Sequence, residues 1–227
     1  MTVRTTKKIE KHSAPSLLDG IKKSQELSDI KKCNFIESID VAINLGIDAK
    51  QSGQSVKGSV LLPNGSGKNP RIIVFTADSG QKKLAIDTGA TMAGLEDLIM
   101  QIDGGFLDFD VCIATPDAMQ KLGKVAKKLG TRGLMPSPKN GTVTNNIEKA
   151  ISDSMKGKVN FKNDKSGIIH CLAGKINFDT KSLLENVEAI IVAVKASKPE
   201  GVKGKFIQKF YLNTTMGRSI QVATESL

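Results

Sequence analysis

Phe35-Ile-Glu-Ser-Ile-Asp-Val-Ala-Ile-Asn-Leu45 places Phe35, Ile39, Val41, Ile43 and Leu45 on one side of an extended chain and Ser38, Asp40 and Asn44 on the other. Period two with β-branched residues predicts a strand with one buried face, and Glu37 is the break in its apolar side. Arg71-Ile-Ile-Val-Phe-Thr76 has a different texture. It does not alternate, which suits a strand covered on both faces, as in parallel sheets flanked by helices. Between the two lies Leu62-Pro-Asn-Gly-Ser-Gly-Lys-Asn-Pro70, whose glycines and prolines mark a boundary. One chain therefore carries two kinds of sheet.

Outward from these stretches, residues 13–32 read as an amphipathic helix capped by Ser13 or Ser16, with Leu17, Leu18, Ile21, Leu27 and Ile30 apolar. After the boundary, residues 91–102 put Met92, Leu95, Leu98, Ile99 and Ile102 on one helical stripe, and Val111–Ala114 is a second buried strand. Thr115-Pro116-Asp117 opens a helix that runs through Leu122 and Leu129 to a left-handed stop at Gly130. Strand and helix in alternation predict a small α/β unit with parallel strands. From about residue 159 the alternating texture returns, and Val159 to Leu172 reads as a hairpin turning at Asn163–Gly167. Thr180 caps a helix carrying Leu183, Val187, Ile190, Ile191 and Val194, and Lys205–Leu212 is a last strand. The expected fold is α+β in two domains. A discontinuous α+β domain spans 1–65 and 159–227, and a three-layer, Rossmann-like α/β domain is inserted at 66–158.

The 227 residues hold 33 Lys plus Arg against 23 Asp plus Glu, a net charge of +10. The surplus favours a polyanionic partner. Residues 66–158 hold 13 basic and 10 acidic groups and the remainder 20 and 13, so the outer unit is the better anion binder. Aromatics are 4% with no Trp and one Tyr, which argues against a protein that works mainly by stacking bases on exposed rings. Cys33, Cys112 and Cys171 form no CxxC pair, and His12 and His170 lie far apart, which argues against zinc and for a reducing compartment. Basic Arg4, Lys7, Lys8 and Lys11 are not followed by an apolar stretch, and the run Ala189–Val194 is far too short for a bilayer, so no secretory signal or membrane association is expected.

Enzyme motifs fail when tested. Gly65-Ser-Gly67-Lys68 resembles the end of a phosphate loop, but Leu62 stands where the first Gly belongs and Asn69 where Ser or Thr belongs. Gly89-Ala-Thr-Met-Ala-Gly94 lacks the middle glycine of a dinucleotide fingerprint. His170 and Cys171 are adjacent and face opposite sides of a strand, so they form no catalytic pair. No cofactor is expected. A nucleotide-dependent enzyme with its site near Thr76 or Thr115 is the alternative reading. Three features of the outer unit remain: Phe35, Glu37 and Ser38; Lys162-Asn-Asp-Lys165-Ser-Gly-Ile-Ile-His170; and Thr214-Thr-Met-Gly217. Small hydroxyls and a glycine let backbone amides approach sugars and phosphates, with Met216 as an apolar contact. A carboxylate facing RNA accepts from a base amino group or a 2′-OH. Each feature alone also fits a core residue or an ordinary turn.

Taken in order, these segments resemble the bacterial family of large-subunit ribosomal protein L-one, the protein of the mobile stalk. Phe35 to Asp48, Phe109-Asp-Val-Cys-Ile-Ala-Thr-Pro-Asp-Ala-Met119, Gly130-Thr-Arg-Gly-Leu-Met-Pro-Ser-Pro-Lys139, Gly141–Thr144, Asn163–His170, Lys198-Pro199 and Thr214–Gly217 carry the resemblance, which covers nearly the whole chain. It implies a structural, non-catalytic, cytoplasmic and ribosome-associated protein, a monomer when free. Such a protein binds a stalk of large-subunit rRNA, helps deacylated tRNA leave the exit site, and represses its own messenger through an rRNA-like leader. Carried over by motif, the RNA contacts are Phe35, Glu37, Ser38, Asp164, Lys165, Gly167, His170, Thr214, Thr215, Met216 and Gly217. Asn34, Lys162 and Asn213 depart from the common Lys, Arg and hydroxyl residue, and Thr131 and Ser137 replace a common Pro and Asn. A Lys cannot reproduce the two-donor fork of Arg, so recognition at Lys162 is softened.

Overall fold

The computed structural model describes residues 15–30, 33–48, 54–199, 202 and 204–224. Arg4, Lys7, Lys8, Lys11, His12 and Ser13 lie outside the described residues. In chain order the elements are α1 (Leu17–Ile30), β1 (Ser38–Leu45), β2 (Lys57–Leu61), β3 (Ile72–Phe75), α2 (Ser79–Asp87), β4 (Met92–Gly94), α3 (Glu96–Asp103) and β5 (Val111–Ala114). There follow α4 (Pro116–Leu122), α5 (Ala126–Thr131), α6 (Ile147–Met155), β6 (Lys158–Lys162), β7 (Ile168–Lys175), α7 (Thr180–Ala196), β8 (Ile207–Thr214) and β9 (Ile220–Val222). The fold is mixed α/β, of the α+β kind.

Strand β1 lies inside a four-stranded antiparallel sheet of order β7-β1-β8-β9. Its alternation does what the sequence predicts: Ile39, Val41, Ile43 and Leu45 are buried. They pack with Ile169, Phe210 and Leu212 against Ile21 of α1 and Leu183, Val187, Ile190 and Val194 of α7. Both helices cover one face; the other face carries Asp40, Ala42, His170, Leu172, Tyr211 and Asn213. The strand starts at Ser38, three residues later than the apolar pattern suggests.

Strand β3 is buried along its whole length and pairs in parallel with β4 and β5. Ile73 and Phe75 meet α3, α4 and α5 through Leu98, Ile102, Leu122 and Leu129. Ile72 and Val74 meet α2 and α6 through Ala85, Ile147 and Ile151. A strand with helices on both faces has no polar side, which is why it does not alternate.

Several local expectations are corrected. Residues 91–102 are not one helix: Met92–Gly94 pairs as a strand with Ile73–Phe75, and the helix starts at Glu96. Met92 and Leu98 pack into the same core, so an apolar stripe alone does not tell a strand followed by a helix from one helix. The helix opened by Thr115 stops at Leu122, and a second one follows; Gly130 lies inside it, and the left-handed residue is Gly133, at φ 71°. Thr180 is the first residue of α7 rather than its cap. Its hydroxyl instead donates to Gln25 Oε1 on α1 at 3.0 Å. Strands β6 and β7 are joined by a single bridge, Asn163 to Ile169, because β6 pairs with β2 and β7 with β1.

The segment after β2 is tied down. Asn186, fully buried on α7, accepts from the Asn64 N–H at 3.1 Å and donates to the carbonyls of Gly65 at 3.1 Å and Ala173 at 2.8 Å. Beside it Gly157, at φ 96°, touches residues 65 and 66 so closely that a Cβ would strike their backbone. Replacing Asn186 by Ala leaves one N–H and two carbonyls without their partner, so urea unfolding of Asn186→Ala should show a loss of about 3 kcal/mol. A loss under about 0.5 kcal/mol, the scale of a neutral surface change, would mean the anchor is dispensable.

Candidate nucleic-acid interface

At the Ser38 end of β1, two segments far apart in sequence are clamped together. The Ser38 N–H donates to Thr215 Oγ1 at 3.0 Å, and the Thr215 N–H donates to the Ser38 carbonyl at 3.2 Å. Glu37 is 2% exposed, and its two carboxylate oxygens are both used. Oε2 accepts from the Met216 N–H at 3.0 Å and Oε1 from Ser28 Oγ on α1 at 2.9 Å. These bonds, the Met216 amide foremost, hold the Glu37 carboxyl below its ordinary pKa despite the opposing effect of burial. The Gly217 N–H closes the turn onto the Thr214 carbonyl at 3.1 Å, and a Cβ on Gly217 would overlap the Thr214 hydroxyl. Thr214 itself is buried.

The clamp leaves Phe35, Ile36 and Met216 each more than half exposed. Phe35, which the alternation places on the buried side of β1, is exposed because the strand begins after it. Glu37 points inward and orients the Met216 turn rather than facing solvent. Lys175, missed by sequence reading, donates to Ser38 Oγ at 2.9 Å and sets a cation beside the clamp. Its sequence signal is faint, a single lysine at the end of a mostly apolar strand.

Asp164, Lys165, Gly167 and His170 lie elsewhere. Asp164 Oδ1 accepts from the N–H groups of Ser166 and Ile168, both at 2.8 Å, and the Ile168 amide leads in lowering its pKa. Gly167, at φ 75°, presents its carbonyl to the Leu45 N–H at 3.0 Å. The tip is thus locked onto the far end of β1, with Lys165 exposed. Seven residue steps of β1 separate the clamp from this tip, a distance of about 23 Å. The predicted residues therefore form two patches. His170 stands between them on the uncovered face, opposite Ala42.

The alternative site is occupied by structural bonds. Thr76 Oγ1 donates to Gln81 at 2.7 Å, and Thr115 Oγ1 accepts from the Ala118 N–H as a helix cap. Cys171 is buried behind exposed His170, and burial pushes its thiol up to about 12. Among the described residues no helix is long and apolar enough to cross a membrane.

Residues 23–218 match the ribosomal protein L1p/L10e family. The chain is 47% identical over 196 residues to the large ribosomal subunit protein uL1 of Photobacterium profundum, covering 86% of this chain and 84% of that one. It is 45% identical over 225 residues to the protein of the same name from Vibrio parahaemolyticus, covering 99% and 92%. With that of Tolumonas auensis it shares 47% over 201 residues, 88% and 86% of the two chains.

The clamp makes stability depend on pH. Glu37 has a lower pKa folded than unfolded, so its contribution is complete above the ordinary glutamate range and disappears as pH falls through the folded value. Urea unfolding between pH 7 and pH 3 should show Glu37→Gln less stable at neutral pH by about 2 kcal/mol, with the gap to wild type narrowing on acidification. A gap that stays constant with pH would assign the loss to packing instead.

Proposed function

The chain belongs to the ribosomal protein L1p/L10e family, and from that premise we propose that it binds the stalk region of large-subunit rRNA through the two patches at the ends of β1. As a family member it is a structural, non-enzymatic, RNA-binding constituent of the large ribosomal subunit, cytoplasmic and ribosome-associated. The observation that supports the reading best is the clamp. A buried carboxylate fixes the Met216 turn, so that exposed Met216 and Phe35 lie beside Thr215 and Lys175, a mixed apolar, hydroxyl and cationic surface suited to ribose and phosphate.

In this reading Phe35, Ser38, Thr215, Met216 and Gly217 form the first contact set and Lys165 and Gly167 the second, with His170 between them. Glu37, Asp164 and Thr214 hold them in position. The +10 charge draws the polyanion in, with affinity that falls as salt rises. The same surface serves an rRNA-like leader of the chain's own messenger, through which it represses translation. Carried on the stalk, the free monomer's counterpart assists release of deacylated tRNA from the exit site.

Residues 1–65 with 159–227 and residues 66–158 act as two domains in this proposal. Their apolar clusters are separate, and Asn186 and Gly157 fix the chain up to Gly65, which confines bending to about residues 66–70 and 155–156. Single-molecule energy transfer between dyes at Lys127 and Gln221 should report more than one distance in the free protein. A single narrow distance, unchanged by RNA, would remove the hinge.

The binding proposal is tested by titrating a stalk RNA fragment and an unrelated hairpin of equal length at several salt concentrations. Stalk binding should outlast hairpin binding as salt rises, and Met216→Ala should weaken the stalk alone by about ten-fold, 1.4 kcal/mol. Equal and equally salt-sensitive binding to both RNAs would reduce the surface to a non-specific basic one.

A further inference from the structure

The uncovered face of the four-stranded sheet holds a groove of about 660 Å³ between the two patches. Its floor is two cross-strand rows. In one, Ala42 of β1 lies opposite His170 of β7 and Tyr211 of β8; in the next, Asp40 lies opposite Leu172 and Asn213. His170 and Tyr211 thus stand two strand spacings apart, about 9.6 Å, with only a methyl group between them. The second row sets two polar side chains, Asp40 and Asn213, side by side next to Leu172. Asn213 Oδ1 has no hydrogen-bond partner among the described residues and lies just under the groove surface, so a small rotation of the side chain toward an incoming donor would relieve the cost of leaving it unsatisfied. The Asp40 carboxyl beside it is partly desolvated, which raises its pKa against the pull of Lys68, Lys175 and His170.

We propose that this groove takes a single unpaired guanine of the bound RNA, its ring on Ala42 between His170 and Tyr211 and its donor edge on Asp40 and Asn213. Two neighbouring acceptors require two neighbouring donors. Guanine presents them, as N1–H beside the N2 amino group. With Asn213 turned so that its unpartnered Oδ1 meets the edge, adenine and cytosine, which offer one amino group next to a ring acceptor, and uracil, with one N–H flanked by two carbonyls, would each set acceptor against acceptor. A carboxylate reading a base amino group is established recognition chemistry, and unstacked bases are where proteins read RNA edges. With one Tyr and no Trp the chain has no stacking platform, but one slot needs only one such ring. The inference rests on the RNA-binding reading and adds to it a base identity and the residues Asp40, Ala42, Tyr211 and Asn213.

Amide NMR spectra of the full chain with millimolar 5′-GMP, IMP, AMP, CMP or UMP test it. GMP should shift the amides of residues 40–42, 170–172 and 211–213 saturably, and IMP, which lacks the 2-amino group, should bind about ten-fold more weakly. Tyr211→Ala and Asp40→Asn, each checked for a native spectrum, should each weaken GMP by a similar factor. Equal shifts from all five nucleotides, or shifts confined to the Phe35–Met216 clamp, would overturn the guanine site. So would GMP binding that both variants leave intact. Stalk-fragment titrations with the same protein keep the two readings apart. If the stalk binds and GMP leaves the groove untouched, the groove fails and the function stands; GMP binding in the groove without stalk binding would sink the function and leave the nucleotide site.

Discussion

Strand β1 is bracketed by β7 and β8, strands that the chain reaches only after more than a hundred further residues. Everything else in the molecule answers to that pairing. The chain must leave β1, build the parallel sheet and its helices, and come back in register on both sides of the strand it left. Closing so long a loop costs entropy before any contact rewards it. The intervening residues lower that cost by folding on their own core and by ending where they began. β2 runs out and β6 runs back as an antiparallel ribbon, from Lys57 against Lys162 to Leu61 against Lys158. The Leu62 N–H donates to the Gly157 carbonyl at 3.4 Å, so the two crossing segments are joined at the point of departure. The lack of room for a side chain at Gly157 follows from this crossing.

The same constraint shapes the candidate interface. Because β8 lies beside β1, the turn that ends β8 falls next to the segment that begins β1, and Glu37 can reach an amide 179 positions away. A carboxylate accepting from two donors tolerates burial that an unpaired one would not. It anchors a turn whose exposed residues are the ones proposed to touch RNA, so a residue that contacts no ligand still sets where the ligand contacts lie.

This explains which parts were legible in the sequence. The faces of β1 were readable because alternation is a local property, and β3 was readable because four consecutive apolar residues admit few alternatives. The role of Glu37 was not, since its partner, the amide of Met216, is a distant backbone group that any residue would supply. Nor was the exposure of Phe35, because the pattern cannot say where pairing stops. β2, β4 and β9 are strands of five residues or fewer whose apolar content is too small for a period. α2 buries only Ala85, so its sequence shows almost no stripe. α6 is the exception: Ile147, Ala150 and Ile151 behind the cap Asn146 were visible and went unread. The motif segments are legible as sequence, but their division into two patches is not, since it depends on β1 lying straight between them.

In the proposed function that division gives specificity a physical basis that charge alone lacks. Lysines on a surface attract any polyanion, and the attraction is screened beyond about 8 Å at physiological salt. Two contact sets about 23 Å apart are therefore electrostatically independent, and only a ligand rigid enough to span the distance gains from both. A flexible single strand can reach both patches but pays in lost freedom, whereas a folded stalk of matching shape has already settled that loss during its own folding. The spacing is held by the hydrogen-bonded ladder of β1, not by side chains. It should thus survive substitutions that abolish either patch, and in the proposed function the distance between the patches selects RNA shape separately from the contacts within them.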